Sequence, residues 1–285
     1  MALTVIAPAY GGPEVLSLVD EPVAAPGPGQ ARIEVRAAGV ITAVGDGAAG
    51  PAGPLAVGDE VIAFRAPGAY AAELLAPAGA LVPKPLALDW AQASGLMLTG
   101  ATAWHALAAV GAHAGDTVLI HGASGGVGTM AVQLAAGRGA VVIATASPAR
   151  HEFLRELGAT PVAYGDGLAD RVRAAAGQGV DAALDLVGTD EAVDVSLELV
   201  ADRGAIATIV ASRRAFDLGL KVLGGAPGAD PGTEIRSAAR LDLVRLVAEG
   251  RLRVLVSRTF PLADAAGAHR LIAEGHVAGK IALIP

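Results

Sequence analysis

The segment Thr117-Val-Leu-Ile-His-Gly-Ala-Ser-Gly-Gly-Val-Gly128 leaves this chain few folds to choose from. The apolar run Thr117–His121 has strand character and leads straight into a glycine-rich turn. A helical stretch, Gly126–Gly137, follows without a proline. Ala123, Gly125 and Gly128 fit the A-x-G-x-x-G spacing, in the strand–turn–helix setting that this spacing requires. Glycines there permit a tight turn and a close backbone approach to a pyrophosphate. The helix N-terminus adds free N–H groups and the positive end of a dipole. The expectation is a dinucleotide site on a parallel sheet. A glycine-rich turn without a ligand is the plainer alternative. Gly122-Ala-Ser-Gly-Gly126 also satisfies the spacing of a hydrolase nucleophile elbow, but the continuing Val127-Gly128 favours the phosphate turn.

The rest of the chain supplies the sheet. Strand and helix patterns alternate from Asp89 onward. A helix over Asp89–Val110 precedes the fingerprint, and strand Ala140–Ala144 and helix Pro148–Leu157 follow it. Next come a short strand Pro161–Ala163, strand Asp181–Leu186, helix Glu191–Leu199, strand Ala205–Val210 and helix Glu234–Glu249. Such alternation argues a parallel sheet with helices on both faces. Residues 1–90 differ. Short apolar runs, Ala31–Ala37, Ile41–Val44, Glu60–Phe64 and Tyr70–Leu75, stand between Gly/Pro clusters, as in a small barrel or sandwich. Arg253–Pro285 reads as strand–helix–strand.

Composition narrows the chemistry. The 285 residues include no cysteine, which removes disulfides, thiolate metal sites and a cysteine nucleophile. Net charge is −7, and no run of basic residues suggests a nucleic-acid face. No long uncharged apolar stretch predicts a membrane span, and the Met1-Ala-Leu-Thr start lacks a basic signal region. A cytoplasmic enzyme is expected. Abundant Ala and Gly, with only three lysines against many arginines, suggest a GC-rich bacterial genome.

Cofactor choice is read after the second strand. A site for NAD usually places Asp or Glu there to hold the ribose 2′-OH. Here the segment is Ala144-Thr-Ala-Ser147, with no carboxylate until Glu152. The Ser147 hydroxyl and the Arg150 guanidinium suit a 2′-phosphate, so NADPH is the expected cofactor. Arg150 also reads as a solvated first-turn residue.

Further motifs carry a family resemblance: Leu157-Gly-Ala159, Gly179-Val-Asp-Ala-Ala-Leu-Asp185, Thr259-Phe-Pro-Leu262 and Gly275-His-Val-Ala-Gly-Lys-Ile281. The N-terminal part agrees through Gly11-Gly-Pro-Glu-Val-Leu16, Val57-Gly-Asp-Glu-Val61 and Gly68-Ala-Tyr-Ala71. Together with the fingerprint, these resemble the zinc-independent quinone oxidoreductases of the medium-chain dehydrogenase/reductase superfamily. The resemblance implies an α/β chain. Residues 1–90 and 252–285 would form a GroES-like β-rich catalytic domain, and residues 91–251 a doubly wound Rossmann domain, with NADPH in the cleft. It implies that Ser124, Gly125, Gly126 and Val127 hold the pyrophosphate, and that Ser147, Arg150 and Tyr164 surround the adenosine phosphate. Gly188 and Val210-Ala-Ser212 would border the nicotinamide, and Thr102 would reach the cofactor. It also implies a homodimer joined through an edge strand at Ala215–Leu223.

The chain departs from the family at one place. Relatives run from a strand ending in Ala-Ala-Gly-Val into a loop and helix of a few dozen residues. Here Ala37-Ala-Gly-Val40 joins the next strand directly, at Val40–Ile41. The side chains that relatives use to position substrate have no counterpart, and neither do the zinc ligands of the alcohol-dehydrogenase cousins. Among other candidates, Tyr70 could donate a proton to an enolate or be a core strand aromatic. His121, His105 and His113 read as packing, turn or cap residues. The functional expectation is an NADPH-dependent reductase of a quinone or activated enone, with a bulky small-molecule substrate. The alternative is a non-redox biosynthetic enzyme, cyclase-like, that retains the nucleotide site.

Overall fold

A computed structural model of the chain describes residues 1–275 and 277–285. His276, within the Gly275–Ile281 motif, lies outside the described residues.

In chain order the strands begin with β1 (Ala2–Ile6), β2 (Ser17–Glu21), β3 (Gln30–Arg36), β4 (Ala38–Val44) and the short β5 (Ala49–Gly50) and β6 (Gly53–Pro54). Strands β7 (Glu60–Ala63), β8 (Glu73–Pro77) and β9 (Leu81–Pro83) lead to helix α1 (Trp90–Ala109). Then come β10 (Thr117–His121), α2 (Gly126–Gly137), β11 (Val141–Thr145), α3 (His151–Glu156), β12 (Ala159–Val162), α4 (Leu168–Ala176) and β13 (Ala182–Asp185). After α5 (Asp190–Leu199) lie β14 (Ile206–Thr208), α6 (Arg213–Asp217), β15 (Lys221–Val222) and α7 (Thr233–Ala248). Strand β16 (Val256–Pro261), helix α8 (Ala265–Ala273) and strand β17 (Lys280–Ile284) end the chain.

Two compact units result: Met1–Leu98 with Arg240–Pro285, and Thr99–Ala239. Their limits fall inside α1 and α7 rather than in loops, because each helix carries apolar residues over its whole length. Gly95 and Gly100 stand near the first limit without breaking α1, and no Gly or Pro stands near the second.

The Thr99–Ala239 unit is a six-stranded parallel sheet in the order β12-β11-β10-β13-β14-β15. In order of appearance that is 3-2-1-4-5-6, the doubly wound dinucleotide-binding order, with its switch point between β10 and β13. Every residue of β10 is buried. A strand covered on both faces needs this continuous apolar run. Leu119, Ile143, Ala183, Val193 and Ile206 meet in the core. Each fully buried Leu or Ile there stabilises the unit by roughly 1.5–3 kcal/mol.

The outer edge of this sheet differs from the expectation. Ala215–Leu223 is not one strand, because Ser212 caps α6 by accepting from the Ala215 amide (3.1 Å) and turns the chain helical. Only Lys221–Val222 pairs with β14. The outward groups of that edge are already used: the Asp230 amide donates to the Val222 carbonyl (2.8 Å), and the Gly224 amide donates to the Asp230 carbonyl (2.8 Å). A folded-back loop thus caps the sheet edge. His105 on α1 anchors it through Asp230 Oδ2 (3.0 Å), and Arg236 donates to the other ring nitrogen of His105 (3.3 Å).

In the first unit, five strands form an antiparallel sheet in the order β8-β3-β4-β7-β9 around Ile33, Ile41, Val61, Leu74 and Leu81. The direct join expected at Val40–Ile41 lies earlier. β4 runs unbroken through Val40 and Ile41, and β3 turns into it at Ala37, with Arg36 paired to Ala38. Ala37 sits at φ 80°, a left-handed conformation that an L side chain resists. Tyr70 also falls outside a strand. Its residue carbonyl accepts from the Val5 amide (2.8 Å), and Ala71 bridges Thr4.

Candidate dinucleotide site

The fingerprint turn lies at the carboxyl end of β10, at the switch point, where open parallel sheets bind their ligands. Gly122 takes φ 70°, and its carbonyl accepts from the Gly125 amide (3.1 Å). Gly125 precedes α2 in extended conformation and caps it without a side-chain hydrogen bond. The first turn of α2 is therefore open to an anion. Gly128 is required on steric grounds: a Cβ there would lie 2.3 Å from the Gly122 carbonyl oxygen and 2.7 Å from the Ala123 backbone. Ser124, Gly125, Gly126 and Val127 are all half-buried along this turn.

The neighbouring strand ends carry the other expected residues. After β11, Ser147 opens a short turn, Pro148–Arg150, and its side chain does not cap that turn. Pro148–Leu157 is thus a 3-10 turn followed by a short helix rather than one helix. Arg150 is half-exposed, and no ion pair engages it among the described residues. Tyr164 follows β12 and is 59% exposed. The Ala146 amide donates to the Val162 carbonyl (3.1 Å), which holds the ends of β11 and β12 side by side. Gly188 follows β13, and Val210, Ala211 and Ser212 follow β14. Gly188 and Val210 are in close approach, since a Cβ on Gly188 would lie 2.6 Å from Val210 Cγ1. Eleven of the twelve expected cofactor residues thus share the carboxyl edge of one sheet. Thr102 does not; it is buried on α1.

Sequence reading missed what organises that edge. Asp185, at the end of β13, is 1% exposed. Its Oδ1 accepts from the amides of Val187 (3.0 Å) and Gly188 (2.8 Å), and its Oδ2 from the Thr208 hydroxyl (2.9 Å). The Val210 amide donates to Thr208 Oγ1 (3.0 Å). One carboxylate therefore fixes both loops that carry Gly188 and Val210. The available signals were its place as the last residue of a strand in a parallel sheet and at the end of the Gly179–Asp185 motif.

His121 pairs with Asp185 across the β10–β13 register. Its Nδ1 lies 3.4 Å from Thr145 Oγ1, and its Nε2 is buried without a partner. Burial pushes its pKa down to about 4, only partly offset by the Asp185 charge. The ring is therefore neutral at pH 7.

A family profile described as zinc-binding dehydrogenase matches residues 157–283. The quinone oxidoreductase of Pseudomonas aeruginosa is 30% identical over 97% of this chain and 98% of its own length.

This chain belongs to the quinone oxidoreductases of the medium-chain dehydrogenase/reductase superfamily.

The spectinabilin polyketide synthase system protein NorB of Streptomyces orinoci is 34% identical over 98% of this chain, which spans only 14% of NorB. Among solved structures, mycobacterial Rv1454c complexed with NADPH aligns over the full length of both chains, with 29% identity and a TM-score of 0.82. The alignment to the Pseudomonas quinone oxidoreductase runs over 322 residues, more than this chain's 285, as a family member with a shortened segment requires. The zinc in the profile's name does not fit this member. The chain has no cysteine, and among the described residues no group of three or more His, Asp or Glu side chains could hold a metal ion.

Tyr70 belongs to the other unit and is 41% exposed, so it is not a core aromatic. Its hydroxyl lies 3.1 Å from His269 Nε2, with the two rings edge-to-face at 5.9 Å between centroids. Partial burial raises the phenol pKa above its usual 10, which makes Tyr70 a weaker acid than a free tyrosine. No sequence signal pointed to His269 as its partner.

Proposed function

We propose that this quinone oxidoreductase family member is an NADPH-dependent reductase of a bulky, electron-poor substrate, a quinone or an activated enone. The observation that carries this reading is the Gly122–Gly128 turn at the sheet's switch point. Behind it lies a helix without a side-chain cap, and after the next strand stand Ser147 and Arg150 instead of a carboxylate. This cradle fits a dinucleotide whose ribose carries a phosphate.

In this reading Ser124 to Val127 hold the pyrophosphate, and Ser147, Arg150 and Tyr164 hold the adenosine phosphate. Gly188 and Val210 to Ser212 seat the nicotinamide, with Thr102 reaching it from α1. Bound NADPH supplies a hydride for an electron-poor carbon. The chain's own work is to bind, orient and exclude water. A quinone leaves an oxyanion acidic enough to take its proton from water, so no dedicated acid is needed. The unit built from both chain ends is the substrate-side domain.

The bulk of the substrate is argued from the β3–β4 hairpin. No loop stands between these strands to orient a small molecule, so a ligand with a large apolar surface of its own is held better. The similarity to polyketide synthase proteins supports the same reading, with an α,β-unsaturated polyketide-like chain as one such substrate. A homodimer remains part of the proposal, through a surface other than the capped β15 edge.

The test is NADPH oxidation with a simple benzoquinone and with a large polycyclic quinone or enone. A higher kcat/KM on the bulky compound is expected. An equal or higher value on benzoquinone contradicts the bulky substrate. Tight NADPH binding without oxidation by either compound favours the non-redox reading, to which the missing loop also points.

A further inference from the structure

One guanidinium grips the loop that carries Tyr164. Arg171, on α4, donates from Nε to the Ala163 carbonyl (2.9 Å), from Nη1 to the Asp166 carbonyl (2.7 Å) and from Nη2 to the Gly165 carbonyl (2.7 Å). These carbonyls lie immediately before and after Tyr164. From the other side, the Gly165 amide donates to Glu191 Oε2 (3.2 Å). Gly165 and Gly167 take φ of 94° and 78°, so the loop is a tight curl that only such residues allow. At its crest Tyr164 remains 59% exposed, at the carboxyl end of β12 and next to the β11 end that leads into Ser147.

All three donor groups of Arg171 are thereby committed to backbone carbonyls. A guanidinium that faces three carbonyls is not offered to a phosphate. Its effect is to immobilise a short polar loop, where backbone freedom is otherwise costly to remove. The residue held is an exposed aromatic whose hydroxyl has no hydrogen-bond partner among the described residues. A loop fixed this firmly sets the point and direction from which the Tyr164 side chain leaves the backbone, which a ligand on the sheet edge would read.

We propose that Arg171 is a positioning residue for dinucleotide discrimination: by clamping the 163–166 loop it holds the Tyr164 hydroxyl where it donates to a ribose phosphate, beside Ser147 and Arg150. The inference rests on the NADPH reading above and adds a residue that no fingerprint contains. Its signature is selective. Loss of the clamp weakens binding of the phosphorylated dinucleotide and leaves the unphosphorylated one nearly unchanged, because NADH offers the Tyr164 hydroxyl only a neutral 2′-hydroxyl in place of a charged phosphate.

The experiment is calorimetric titration of NADPH and NADH into the wild-type chain, Tyr164→Phe, Arg171→Ala, Arg171→Lys and the double variant Tyr164→Phe/Arg171→Ala. Arg171→Ala and Tyr164→Phe are each expected to weaken NADPH about tenfold, the scale of one hydrogen bond to a charged group, with NADH changed less than about twofold. The double variant is expected to lose no more than Arg171→Ala alone, since both act through one hydroxyl. Arg171→Lys, which cannot reach three carbonyls, should fall between. Losses that multiply in the double variant, or an equal loss for both nucleotides, overturn the inference and leave Arg171 a stabilising residue only. An NADPH preference that survives Arg171→Ala intact also overturns it. A wild-type chain with no preference for NADPH overturns the cofactor reading and this inference together.

Discussion

His121 is held neutral beside the phosphate turn by burial, and that has a cost in acid. Its folded pKa of about 4 lies below the unfolded value of 6.5. Between those pH values the unfolded chain binds the proton and the folded one does not, so stability rises with pH across this window and is lost as pH falls through it. The shift corresponds to about 3 kcal/mol in full, of which about 2 kcal/mol is lost between pH 7 and 5. In urea unfolding, wild type should lose that much more than His121→Leu over the same interval. Equal losses would contradict the assignment. At Ala37 the prediction has the opposite sign to the usual one. Relief of the left-handed strain should make Ala37→Gly more stable by about 1 kcal/mol, whereas Gly normally destabilises a strand. A destabilised variant would contradict the strain assigned to the left-handed Ala37. At Arg150, truncation to Ala should cost about 1.5–3 kcal/mol of NADPH binding and spare NADH, as titration would show. Single residues with an unmistakable chemical type, such as Arg150 and the fingerprint glycines, were legible in sequence. The roles of Asp185 and His269 were not, because Asp185 joins its own loop to Thr208, 23 residues away, and His269 meets Tyr70, 199 residues away along the chain.

At the scale of elements, the turn into α2 separates two kinds of glycine. Gly128 packs against backbone that cannot retreat, so Gly128→Ala should destabilise the unit by about 1–3 kcal/mol and weaken dinucleotide binding. Gly137, the last residue of the same helix, has open space around its Cβ position, and Gly137→Ala should leave stability equal or up to about 1 kcal/mol higher. Thermal unfolding of the two variants tests this, and similar losses at both positions would contradict the packing argument. The same contrast shows why the elements of this unit could be read. β10 and α2 lie between sharp breakers, and the sequence places both as the structure does, at Thr117–His121 and Gly126–Gly137. The edge strand could not be read this way. Ala215–Leu223 is apolar enough for a strand, yet Ser212 offers a helix cap, and the local cap wins for five residues. The capping of the β15 edge by Asp230 depends on His105, which lies 125 residues away on α1 and which Arg236 of α7 holds from its other side.

For the whole molecule, the parallel alternation predicted the doubly wound sheet, and the Gly/Pro-punctuated N-terminal strands predicted a separate β-rich unit. The limits of the two units were less legible, since each runs through a helix. Among the described residues no helix is long and apolar enough to cross a membrane. The central claim concerns hydride transfer, because family membership and a nucleotide cradle would both survive in a chain that had abandoned redox chemistry. The most direct measurement uses NADPH carrying deuterium at both positions of nicotinamide C4 with a bulky enone acceptor, and reads the product by mass spectrometry. The account predicts one deuterium on the electron-poor carbon of the reduced product, formed together with oxidised nicotinamide. An enone recovered without deuterium while NADPH remains bound and unoxidised, with bulky quinones inert as well, would contradict it.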